Sequence, residues 1–81
     1  MLNPDQVRAA AHSTVLEMTG KKVKDGDSLI SSGLIDSLSL LRLIGSLESK
    51  LSVTIPPDDL QPDDFESVDI ITESVLRVAR P

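Results

Sequence analysis

The sequence predicts an all-α bundle of three main helices and one short helix, with a long loop between the first two main helices. Three observations support that class. Apolar residues recur at helical spacing in three separate stretches. Each stretch begins next to a residue able to cap a helix. The one alternating stretch, residues 52–55, runs into Pro56-Pro57 and is too short to make a good strand.

The first helix is expected over roughly residues 4–18. Asn3 can cap it, Pro4 suits the first helical position, and Gln6 completes a capping-box pattern. Val7, Ala11, Thr14, Val15 and Met18 share one face, and Gly20 ends the pattern. Residues 19–36 form the long loop. Its first half is charged and turn-rich, with a solvated Lys21–Lys24 cluster. Its second half carries Leu29, Ile30, Leu34 and Ile35, which should pin it across the bundle, with room for one short helical turn and a bend at Gly33. So long a loop in a small domain is uncommon and often functional.

Residues 37–51 give the strongest helical pattern, with Leu40, Leu43, Ile44, Leu47 and Leu51 in one stripe. Residues 52–55 read as an extended linker. Pro62 opens a short turn of helix holding Phe65. Ser67 caps the closing helix, roughly 68–79, with Val68, Ile71, Val75 and Val78 facing inward.

Composition narrows the function. Eighty-one residues suit one domain, 1–81, and such a domain buries only about 60% of its unfolded surface, so its core must be efficient. Phe65 is the sole aromatic, which leaves no stacking platform for single-stranded nucleic acid. A net charge of -5 argues against a basic nucleic-acid surface, and seven acids with no base lie between Lys50 and Arg77. The absence of Cys excludes disulfides and thiolate metal sites. No apolar run approaches the roughly 18 residues of a membrane span, and no secretory signal is visible. These features suggest a cytoplasmic, monomeric domain with no nucleic-acid or membrane partner.

Enzyme chemistry has little support. A nucleophilic triad would need His12 as its base, and no G-x-S-x-G elbow is present. Asp25-Gly26-Asp27 begins like a calcium loop, but its twelfth position is not Glu. Gly20-Lys21-Lys22 lacks the rest of a phosphate-binding loop.

One corner stands out. Asp36-Ser37-Leu38 lies where the long loop meets the most amphipathic helix. Either Asp36 or Ser37 can cap that helix. The pair also sets a carboxylate beside a hydroxyl at a helix N-terminus, a place that suits a phosphate ester on the Ser. Asp36 can help hold a divalent cation while such an ester forms.

Asp36-Ser37-Leu38, in this frame of helices and loops, resembles the attachment motif of acyl carrier and peptidyl carrier proteins. The likeness covers the whole chain and includes an Ile-Pro turn at Ile55-Pro56. A second Asp-Ser-Leu, at Asp27-Ser28-Leu29, is followed by Ile30-Ser31-Ser32-Gly33 and cannot continue as an amphipathic helix. Ser28 should cap a turn and Leu29 should be buried.

The resemblance implies a bundle of the acyl-carrier type with 4′-phosphopantetheine on Ser37 beside Asp36. The arm would carry acyl, aminoacyl or peptidyl intermediates as thioesters, and the protein itself would not be an enzyme. It implies a phosphopantetheinyl transferase, an acyl- or aminoacyl-loading ligase and downstream synthase enzymes as partners. Two residues, Leu34 and Ile35, separate Gly33 from Asp36 where the family often has one. That spacing is similar to free-standing D-alanyl and aminoacyl carriers, and fatty-acid carriers remain open. The second helix is less acidic than in fatty-acid carriers, because Arg42 and Lys50 offset Glu48. Secondary-metabolite assembly, polyketide or nonribosomal peptide, is the expected setting. Leu38, Leu41, Arg42 and Gly45 form the expected partner face, although an ordinary partly buried helix side reads equally well. The alternative is a non-catalytic helical interaction module, a degenerate carrier.

Overall fold

Local signals set the helix ends. The computed structural model describes residues 2–81. Asn3 Oδ1 accepts from Gln6 N at 2.9 Å and Gln6 Oε1 accepts from Asn3 N at 3.1 Å, which opens α1, Pro4–Thr19. Gly20 closes it in the left-handed region at φ 74, where the missing Cβ avoids a clash. Helix α2 spans Ser37–Leu51, and α3 spans Val68–Val78 behind a Ser67 cap that accepts from Ile70 N at 3.2 Å. The expected short helix is a 3-10 turn, Pro62–Phe65. A second such turn, Pro57–Asp59, directly follows Ile55-Pro56, where the expected Ile-Pro turn is itself irregular chain. Among the described residues the regular structure is all helical apart from one isolated antiparallel bridge.

Helix α1 is the central element and packs against both α2 and α3; the Pro62–Phe65 turn touches α2 and α3. Val7, Ala11 and Val15 of α1 are buried with Leu43 and Leu47 of α2 and Val68, Ile71 and Val75 of α3. Phe65 fills the space beside them. Met18, Leu40, Ile44, Leu51 and Val78, the outer members of the expected stripes, are half-buried. Thr14 is buried on the α1 face, and its Oγ1 lies 3.3 Å from Ser46 Oγ on α2.

The long loop contains hydrogen-bonded turns rather than a helix. Gly33 N donates to Ile30 O at 3.0 Å, and Gly33 takes φ 80 to reverse the chain. Leu29 and Ile35 on either side enter the core, while Ile30 and Leu34 are half-buried. The linker after α2 pairs with the C-terminal segment: Thr54 N donates to Arg80 O at 2.7 Å and Arg80 N to Thr54 O at 2.8 Å. A shallow groove beside this bridge is lined by Leu2, Leu51, Val53, Leu76 and Pro81 among others. Among the described residues no helix is long and apolar enough to cross a membrane.

Candidate functional site

The start of α2 is built from the loop that precedes it. Ile35 is locked in the core, so the chain turns outward at Asp36. Of the two possible caps, Asp36 is the one used: its Oδ1 accepts from Ser39 N at 2.8 Å. That bond, with a further bond from the Ser39 side chain, holds the Asp36 carboxyl below its usual range, and the Arg42 charge adds to the effect. Asp36 is therefore an anion at neutral pH.

Capping by Asp36 leaves the next residue uncommitted. Ser37 occupies the first position of α2 and is exposed. Its hydroxyl stands at the positive end of the helix dipole. Leu38 and Leu41, at 79% and 67% exposure, flank it, and Arg42 and Gly45 are also exposed. A Cβ on Gly45 would meet nothing within 4 Å, so the fold itself does not require glycine there. Leu38 and Leu41 do not form an ordinary partly buried helix side; they are open to solvent.

The other candidate residues are engaged elsewhere. His12 Nε2 lies 2.5 Å from Asp25 Oδ1, and Arg8 Nε lies 3.5 Å from the other Asp25 oxygen. Arg8 also pairs with Asp69 of α3 at 3.4 Å. These contacts tie α1 to the loop and to α3. Asp27 Oδ2 accepts from Lys24 N at 2.8 Å. The second Asp-Ser-Leu is a turn: Ser28 Oγ accepts from Ser32 N at 3.1 Å, and Leu29 is fully buried.

Sequence reasoning missed Glu66, which looked like one acid among seven. Its carboxylate gathers the turn that precedes the site. Ser28 Oγ donates at 2.6 Å, Ser31 Oγ at 2.5 Å, and the Ile30 and Ser31 N–H groups each at 3.1 Å. The Glu66 carbonyl also accepts from Leu29 N at 2.7 Å. The two serine hydroxyls, followed by the backbone donors, hold the Glu66 carboxyl down at about 2. The signal for this contact is a serine-rich turn, Ser28 to Ser32, but its partner lies 35 to 38 residues away in sequence.

The start of α2 thus sets an exposed serine next to a capping carboxylate and two exposed leucines. The family model described as the phosphopantetheine attachment site matches residues 5–72, most of the chain, and the protein belongs to that family. It is a carrier protein with covalent 4′-phosphopantetheine as its cofactor. Carrier domains of this kind are generally non-catalytic and work with phosphopantetheinyl transferases and synthases. A comparison with curated proteins gives no significant match.

The corner fits the group. A serine that accepts it must be reachable by a transferase, and Ser37, the serine the sequence singles out, is exposed. A phosphodiester there would meet the helix N-terminus, which favours an anion.

Proposed function

We propose that Ser37 is the attachment residue and that the chain is a single non-catalytic carrier domain for acyl, aminoacyl or peptidyl cargo in secondary-metabolite assembly. The observation that carries the reading is the division of labour at the α2 start. Asp36 makes the capping bond, which leaves the Ser37 hydroxyl exposed. The competing Ser28 hydroxyl is committed to Glu66 and Ser32.

In the attachment reaction the Ser37 oxygen would attack the phosphorus of coenzyme A nearest the pantetheine. A new O–P bond forms, the pyrophosphate bond breaks, and adenosine bisphosphate leaves while the transferase accepts the hydroxyl proton. Asp36 would orient this corner and share a divalent cation with the transferase. The bound group supplies a thiol, which this Cys-free chain lacks, for holding cargo as a thioester. Leu38 and Leu41 would give partners an apolar foothold beside Ser37, with Arg42 at its edge. Tethering raises the effective concentration of cargo at each partner. Support for secondary-metabolite assembly comes from α2, where Arg42 and Lys50 offset Glu48, unlike the acidic helix expected of a fatty-acid carrier.

The test is intact mass after incubation with coenzyme A and a promiscuous transferase. Wild type and Ser28→Ala should each gain one phosphopantetheine, and Ser37→Ala none. A wild type left unmodified while a control carrier reacts would overturn the assignment.

A further inference from the structure

Ser37 is exposed and its side chain takes part in none of the described hydrogen bonds, so its placement depends on the chain that leads into it. That chain is held by a continuous path of hydrogen bonds. Glu66 gathers Ser28, Ile30 and Ser31 with its carboxylate, and its carbonyl takes the Leu29 N–H. The Leu29 carbonyl in turn accepts from Ile35 N at 2.9 Å, and both side chains are buried. Ile35 immediately precedes Asp36 and Ser37. Nothing else described on the 28–32 turn anchors it so densely to the helical body.

We propose that Glu66 is a positioning residue for the modification of Ser37, holding the 28–35 segment so that the Asp36-Ser37 corner is preformed when the transferase docks. This inference rests on Ser37 being the attachment residue. Glu66 touches neither cofactor nor transferase; it acts through the loop. Releasing it leaves the corner sampling several arrangements, of which only a fraction is competent to dock. Apparent affinity falls by that fraction, while a docked complex, once formed, reacts normally. The signature is therefore a raised KM with a nearly unchanged kcat.

Steady-state transfer kinetics on the full chain, with the carrier as varied substrate, test this. If Glu66→Ala reduces the competent fraction to about one fifth, KM rises about fivefold and kcat stays within about twofold. The Ser28→Ala/Ser31→Ala double variant should show the same split, and adding Glu66→Ala to it should change little more, because all three belong to one network. Val15→Ala, which destabilises the core but leaves the network intact, should keep the wild-type KM. Amide exchange at Ile35 to Ser39 should quicken in Glu66→Ala and not in Val15→Ala. An unchanged KM in Glu66→Ala, or an equal rise in Val15→Ala, overturns the proposal alone. A wild type modified at some residue other than Ser37 overturns both this proposal and the attachment assignment.

Discussion

Glu66 carries the most informative titration in the molecule. Its ordinary value is 4.5 and its folded value is about 2. Between those values the unfolded chain binds the proton that the folded chain refuses. Its contribution to stability is therefore complete above about pH 4.5 and is lost as pH falls toward about 2. Asp36 and Asp64 are shifted in the same direction, so the wild-type curve alone does not isolate Glu66. Comparison with Glu66→Gln does. Chemical denaturation at several pH values should show the wild type ahead at neutral pH, with its lead shrinking through the acid window. A lead independent of pH would refute an ionised Glu66 anchor. At this scale the sequence was partly legible. Asp36 and Ser37 are adjacent and their capping roles follow from local rules, although only geometry decides between them. Glu66 was not legible, because its donors belong to a loop far away in the chain.

At the scale of elements, the loop between α1 and α2 behaves as part of the core. Leu29 is fully buried although it lies in no helix. Leu29→Ala should therefore cost about 2–5 kcal/mol, as a core helix position would, measured by denaturant unfolding. A cost typical of a surface loop, below about 0.5 kcal/mol, would contradict the packing. The same element explains what sequence could show. Helices α1, α2 and α3 were readable to within a residue or so at their ends, since caps and a 3.6-residue period are local properties. Burial of Leu29 and Ile35 followed from their hydrophobicity. The Pro57–Asp59 turn has three residues and therefore no period to detect. The Thr54–Arg80 pairing joins two short stretches that each lack the length of a strand.

For the molecule as a whole, one aromatic ring and a set of aliphatic side chains must stabilise 81 residues. Phe65 is buried in a 3-10 turn that touches both α2 and α3, so its ring adds to the core that joins them. Phe65→Ala should cost about 3–5 kcal/mol, a large share of the roughly 5–15 kcal/mol available to a domain. Its thermal transition should fall steeply or vanish. Leu41→Asp is the contrasting change: it lies on the surface, should shift stability by no more than about 0.5 kcal/mol, and should abolish docking to a loading enzyme in a pull-down with the holo protein. Equal loss of stability in both variants would mean that Leu41 belongs to the core.

The Thr54–Arg80 bridge has a practical consequence for anyone handling this molecule. Leu2 and Pro81 line the same groove as Leu51, so the first and last described residues meet at the foot of α2. Ser37 stands at the other end of that 15-residue rod, about 22 Å away. If Ser37 carries the arm, as proposed, a fluorophore fixed on a residue of that groove would hang from the side opposite the arm and leave its sweep unobstructed.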